Sequence, residues 1–384
     1  MAALEPLPPL AVEVVEVLRL PMALDVRLPS ARGDHRERDV LLVHVVARSA
    51  EGWAECPVEP TPGYSTETTG TTIAAWRDRL IPRALAGPPD GSSSGAGPAV
   101  ADALALRRAL AEVDGEPMAS AALELAVLDA QLRTAGCSLA AWLGATATAV
   151  APGAALGLHD DAGALLDEAD GALAAGAVRL RVKVAPGRAA RPLAALRDHV
   201  GSAVVLQADA NGTFQEDDPE LDALDELGLA CLEQPLAPDD LEGHARLATR
   251  LRTPICLDEP LTSLAAIEAA VAMGACEVVC LKPSRTGWAE ARRVHDRCAE
   301  LGVPVWVGGM LDTALGRAAN LAVAALPHLA LPPDLDPRGR FRPDLADPRL
   351  PVDGLVPVPT APGTDATPHA EARAAAEVVG AWSP

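Results

Sequence analysis

Aromatic side chains are nearly missing from this sequence: two Phe, one Tyr and six Trp make up 2% of its 384 residues. A core must then be assembled mainly from Ala, Leu and Val, and the length suits two domains or a large barrel with additions. Positive charge is also scarce. With 32 basic against 53 acidic residues the formal charge is -21, which argues against nucleic acid or an anionic membrane as partner, since both would repel the chain. No window approaches 18 uninterrupted apolar residues, so no membrane span is expected. The opening "MAALEPLPPLAVEVVEV" has no basic region and carries acids through its apolar part, so it does not read as a signal peptide. There is no CxxC pair. The seven cysteines form an odd set, several of them inside apolar runs such as "LACLEQ" and "TPICLDE", and they read as reduced, buried thiols of a cytoplasmic protein. The eight histidines show no HExxH or paired spacing, and His159 reads as a loop histidine. No GxGxxG or GKS/T phosphate loop occurs either.

What is present falls into two textures. The first part reads as strands followed by helices: "AVEVVEVLRL" and "DVLLVHVVARSAEGWAEC" are β-rich, and Gly52 marks a hairpin turn between strands. "TTGTTIAAWRDRLIPRAL" looks helical, "GPPDGSSSGAGP" (88–98) reads as a flexible loop, and "MASAALELAVLDAQLRTAG" (118–136) as an amphipathic helix stopped by Gly136. From about residue 150, short apolar segments alternate with helical stretches. They are "GAALGL" (153–158), "VRLRVKV" (178–184), "AVVLQADAN" (203–211), "LACLEQP" (229–235), "TPICLDEP" (253–260), "EVVCLKP" (277–283), "PVWVGGM" (304–310) and "LALPPD" (329–334). Eight β-then-α units in a row favour an α/β barrel over a doubly wound open sheet.

One of these segments poses a problem. In "RLRVKVAPG" (179–187), Arg179, Arg181 and Lys183 project to one face of a strand and Leu180, Val182 and Val184 to the other. Alternation of this kind ordinarily marks a half-exposed strand. Yet a charged residue ends most of the eight strands: Lys183, Asp209, Glu233, Asp258 and Lys282 are separated by 26, 24, 25 and 24 residues. About 25 residues is what one strand, one loop and one helix consume, so these side chains are expected together at the C-terminal rim of the barrel, Lys183 pointing inward.

Three carboxylates on successive strand ends, Asp209, Glu233 and Asp258, with no His or Cys ligand between them in that series, form a hard oxygen environment. It suits Mg²⁺ or Mn²⁺, and without a cation three acids this close would repel one another. Lys183 and Lys282 are expected to face each other across them, on the second and sixth strands. An amine serves as a general base only if its pKa falls toward neutrality, which burial and the neighbouring Arg181 and Arg285 are expected to bring about. The chemistry implied is proton abstraction beside a carboxylate through an enediolate, with a metal to bind the carboxylate oxygens and a lysine to take the proton.

The same segments resemble the enolase superfamily. "RVKVAPG", "LQADANGTF", "LACLEQPL", "TPICLDEPL", "CLKPSRTG" and "VWVGGMLDTALGRAANLAVAALP" are most similar to its muconate-lactonizing-like subgroup, in the branch of o-succinylbenzoate synthases and N-acylamino acid racemases. The likeness extends to "GWAECPVEPTPGYSTE", "SLAAWLGA" and "FRPDLADPRLPVDGLVPVP", and so spans nearly the whole chain. It implies a modified (β/α)7β TIM barrel with an α+β capping domain. The expected division is 1–135 for the cap, 136–335 for the barrel and 336–384 for a segment returning to the cap. By position Lys183 matches the lysine of a KxK motif, Lys282 the lysine opposite, and Asp209, Glu233 and Asp258 the metal ligands. Arg181, Asn211, Arg285, Gly309, Met310 and Asp312 match positions around the substrate. A small-molecule carboxylate as substrate and a homo-oligomer are the expected partners.

Four departures touch substrate binding rather than the metal. Arg181 replaces the first lysine of KxK, Ala155 stands where relatives often have Ser, and Asp312 replaces a common Glu. The mobile loop expected around "LPMALDVRLPSARG" (20–33) lacks the usual Phe-rich wording. The leading functional reading is syn-dehydration to o-succinylbenzoate for menaquinone synthesis, the alternative is N-acylamino acid (N-succinylamino acid) racemisation or both activities, and a non-catalytic binding barrel is the remote third. The intact lysine pair and acid triad argue against the third.

Overall fold

The computed structural model describes residues 4–86, 100–110 and 115–384; the Gly/Ser-rich stretch 88–98 lies outside them. Seven parallel strands follow one another around a barrel: Gly153–Leu156, Arg179–Lys183, Val205–Asp209, Leu232–Glu233, Ile255–Leu257, Val278–Leu281 and Val305–Val307. The expected eighth strand, "LALPPD", closes the ring with little ladder of its own. Asp334 N donates to Val307 O at 3.1 Å on one side, while Gly153 N donates to Pro333 O at 2.9 Å on the other. Pro332 and Pro333 have no N–H to give, so a single bridge, Gly153 to Asp334, joins it to the first strand.

Against the barrel lies an antiparallel sheet in the order Glu377–Trp382, Leu10–Ser30, Gly33–Ala47, Glu51–Cys56, so the end of the chain pairs with its beginning. Helix Pro117–Ala135 packs on this sheet and ends at Gly136, whose left-handed conformation (φ 68°) needs no Cβ accommodation. The amphipathic reading of this helix is corrected: every residue from Met118 to Leu132 is buried. Its polar members are spent on neighbours. Glu124 accepts from Trp288 N and Ala289 N at the start of another helix, and Asp129 from Trp53 N and Thr364 N.

Gly52 is likewise not a turn. It lies inside strand Glu51–Cys56, paired with Val45, and the turn falls at 48–50. The glycine is needed because the long helix presses there: a Cβ would meet Ala126 O at 2.1 Å. The segment 20–33 is a β-hairpin rather than a loop, with register running from Leu20↔Val40 to Ser30↔Gly33 through one irregularity between Ala23 and Leu28. Buried Leu24 and Leu28 hold it, and Pro29 O accepts from Leu158 N at 2.8 Å, which lays the tip over the rim of the barrel. Among the described residues no helix is long and apolar enough to cross a membrane.

Candidate active site

The two-residue period of each strand sends alternate side chains into the barrel. Arg179, Arg181 and Lys183 all point there and answer the question their alternation raised: the cations face a polar interior, not water. Arg179 and Arg181 are buried, at 0% and 4% exposure. Below them Cys231, Cys256, Cys280 and Trp306 form a small inner cluster. Short thiols leave room for two guanidiniums, and the Trp306 ring offers its face to Arg179 at 4.4 Å and Arg181 at 5.5 Å.

Asp334, from the closing segment, takes both guanidiniums and also the Gly309 N–H. Burial pushes its proton affinity up, but Arg181 and Arg179 outweigh that and hold the carboxyl at about 2. Asp334→Asn therefore leaves two buried cations short of an anion. It is expected to destabilise the fold by about 3–5 kcal/mol, read by urea unfolding; an unchanged midpoint would remove Asp334 from this role.

At the rim the five sequence-predicted groups do come together. Asp209 Oδ2 accepts from Arg181 at 2.6 Å and from Lys183 Nζ at 2.7 Å. Lys183 also donates to Asn211 Oδ1 at 2.8 Å. Across the acids, Lys282 Nζ lies 2.8 Å from Asp258 Oδ2 and 3.2 Å from Met310 Sδ. Both lysines, with Arg181, Asn211, Gly309, Met310 and Asp312, line one cavity. Glu233 is fully buried between the other two acids. Its burial, reinforced by Asp209 and Asp258, raises its pKa to about 8 although Arg181 opposes this. Asp209 and Asp258 are lowered: burial works against ionisation in both, but Lys183 and Arg181 prevail at the first, Lys282 and Arg285 at the second.

The expected pull of lysine toward neutrality is reversed at Lys282. Burial does disfavour its ammonium, but Asp258 and Tyr64 hold the amine well above its ordinary value. The guanidiniums expected to repel it are turned to other partners: Arg181 to Asp209, Glu233 and Asp334, Arg285 to Asp258, Tyr64 and the carbonyls of Asp258 and Leu261. Asp312 lines the cavity but its carboxylate braces the turn, accepting from Met310 N at 2.9 Å and Asn320 Nδ2 at 3.1 Å. Burial and nearby Glu55 raise its pKa to about 6. His159 pairs with Glu168 at 2.7 Å, as a loop histidine can.

Several residues of the site escape sequence reasoning. Tyr64, the chain's only tyrosine, donates to Asp258 Oδ1 at 2.8 Å and spreads its ring 4.2 Å from Lys282 Nζ. Glu259 accepts from Arg32 of the hairpin tip at 2.6 Å and from Asn211 Nδ2 at 3.3 Å. The one available signal for Tyr64 was its uniqueness in an aromatic-poor chain; Glu259 sat beside Asp258 in a segment already singled out.

A metal could be held here. Glu233, Asp258 and Cys280 each offer a ligand atom within 4.8 Å of the others, with Asp209 on the adjacent strand. Comparison with known proteins bears on the fold and the family. The family described as enolase C-terminal domain-like matches residues 164–372. An N-succinylamino acid racemase from an Amycolatopsis species is 41% identical over 360 residues, 93% of this chain and 95% of that protein. An o-succinylbenzoate synthase from Geobacillus stearothermophilus is 36% identical, covering 92% of each. The crystal structure of an enolase-superfamily member from Listeria innocua superposes with a TM-score of 0.87 at 27% identity, covering 97% of this chain and 98% of that one.

Proposed function

This chain belongs to the enolase superfamily, and from that premise we propose that it removes the proton α to a substrate carboxylate, with syn-dehydration to o-succinylbenzoate as its leading reaction and menaquinone synthesis as the setting. The observation that carries this is the pair of amines, half-buried Lys183 at the end of barrel strand two and buried Lys282 just after strand six, with the three acids between them, lining one cavity. The donor set fits a hard divalent cation, Mg²⁺ or Mn²⁺, because three buried carboxyl groups crowd at adjacent strand ends closely enough to push Glu233 up to about 8. Asp209, Glu233 and Asp258 would hold it. When bound, it supplies positive charge beside the substrate carboxylate and takes up the carboxylate charge that otherwise raises the Lys282 amine.

The rest is done by the chain's own side chains. Lys183, steered by Asn211, takes the α-proton and returns it to the departing hydroxyl. Lys282, on the opposite face, places its charge against the planar intermediate. Racemisation is the second reading, favoured by the 41% identity to an N-succinylamino acid racemase; there the two lysines exchange protons on opposite faces. Assaying dehydration of the cyclohexadiene precursor and α-epimerisation of N-succinyl amino acids on the purified chain tests both. Turnover of neither would overturn the proposal.

In this reading residues 1–135 and 336–384 form the cap that selects substrate and 136–335 the barrel that carries the chemistry. Arg32 joins the two through Glu259. Arg32→Met is expected to cost roughly 1.5–3 kcal/mol of substrate binding, the worth of a charged hydrogen bond, and to leave metal affinity unchanged. Collapse of metal affinity in a calorimetric titration would mean that the division of labour is wrong.

A further inference from the structure

Glu233 sits where the barrel offers least support. Its strand has two residues, Leu232–Glu233, and the next residue, Gln234, already turns left-handed at φ 42°. So short a ladder sets the backbone, through the pairs Asp209↔Glu233 and Cys256↔Glu233, but not the direction of the side chain. A carboxylate that is to meet a cation needs a hold from the side, because the outer partners of a ligand decide where its oxygens point.

Among the described residues, two side chains hydrogen-bond this carboxylate. Arg181 Nη1 lies 3.2 and 3.3 Å from its two oxygens, but the same nitrogen gives its short bond, 2.6 Å, to Asp209. The close contact is Gln207, whose Nε2 donates to Glu233 Oε2 at 2.6 Å. Gln207 is fully buried and stands two residues before Asp209 on strand Val205–Asp209, so both project into the barrel, Gln207 one layer deeper. The strand that supplies one acid thus also steadies the next. The Gln207 amide has no freedom to flip. Arg179 Nη1 donates to its Oε1 at 2.5 Å. A guanidinium carries donors only, so the amide oxygen must face Arg179 and the NH₂ group must face Glu233. Arg179 is set in turn by Asp334 and by the Trp306 ring at 4.4 Å.

An amide at this point has an electrostatic consequence. Had Arg179 bonded Glu233 itself, a second guanidinium would compete with the cation for that carboxylate. Gln207 passes on the fixed position of Arg179 while the charge of Arg179 is spent on Asp334. We propose that Gln207 is a positioning residue: it aims Glu233 at the metal through a neutral hydrogen bond whose direction Arg179 sets. This rests on the reading that Asp209, Glu233 and Asp258 hold a divalent cation, and adds to it the residue that keeps the middle ligand in place.

The test is Mg²⁺ binding to the full chain by calorimetry, for the natural protein, Gln207→Met and Gln207→Asn, each shown to be folded by circular dichroism. Met fills a similar volume and cannot donate; Asn keeps the amide but is one methylene too short to touch both partners. Both variants are expected to bind Mg²⁺ roughly 10–100-fold more weakly. With Mn²⁺ at saturation, the electron paramagnetic resonance line shape of the bound ion should also change, because one ligand is no longer held in one direction. A merely structural Gln207 would lower the urea midpoint of the metal-free chain and leave the affinity and spectrum of the folded variants as they were. That result in either variant overturns the proposal, as does failure of both to fold. A natural chain that binds neither Mg²⁺ nor Mn²⁺ would overturn the functional reading and Gln207 with it, whereas equal binding by all three proteins would remove only Gln207.

Discussion

Lys183→Ala is expected to lose dehydration outright, because in that reaction one amine both takes the proton and gives it back. The fall should be at least the ~10²–10⁴-fold that a positioned acid–base group contributes. Lys282→Arg keeps a charge on the opposite face, where Lys282 sits 2.8 Å from Asp258. It is expected to retain some dehydration, with a loss on the order of 10²–10³-fold by analogy with removing one oxyanion donor, while racemisation vanishes. Each single variant should still exchange the α-proton of one enantiomer, since that half-reaction needs one amine. Steady-state rates on both substrates, with exchange followed by NMR, decide this. Equal losses of both reactions in Lys282→Arg would mean that the two lysines do not divide the work this way.

Removing the metal is the other change with a large expected effect. Exhaustive chelation should bring turnover to background, and added Mg²⁺ or Mn²⁺ should restore it. Asp209→Asn should weaken metal binding by more than the roughly 10–100-fold that losing an outer partner of a ligand costs. Asp209 also holds Arg181 and Lys183, so Glu233→Gln, which leaves those two contacts to Asp209 in place, is the companion variant. Full activity after chelation, or in both variants, would show that the three acids serve the fold alone.

Much of this site could be read along the chain because its residues recur at the period of the fold. A spacing near 25 residues places Lys183, Asp209, Glu233, Asp258 and Lys282 at equivalent points of successive strand–helix units. The alternation of Arg179, Arg181 and Lys183 with Leu180 and Val182 shows which of them share a face. The misreadings have one physical source, contact between segments far apart in sequence. Gly52 looked like a turn because the helix backbone that forbids a Cβ there lies more than seventy residues on. Helix 118–135 looked amphipathic because nothing local says that Glu124 and Asp129 bind main-chain amides elsewhere. The upward shift at Lys282 without a metal has a related source: the sequence puts Arg181 and Arg285 near it, but whether each guanidinium faces the amine or a closer carboxylate is a matter of geometry, and Asp258 and Tyr64 stand nearest. Tyr64 reaches the barrel from the opposite domain, a placement that no periodicity announces.

The central claim is that this cavity removes an α-proton with Lys183 and Lys282. The most direct measurement is ¹H NMR of an N-succinyl amino acid in D₂O with Mg²⁺, using the natural chain and a Lys183→Ala/Lys282→Ala double variant shown to be folded by circular dichroism. The natural chain is predicted to wash out the α-proton signal, and the double variant to leave it intact. Loss of that signal with both amines gone would contradict the account.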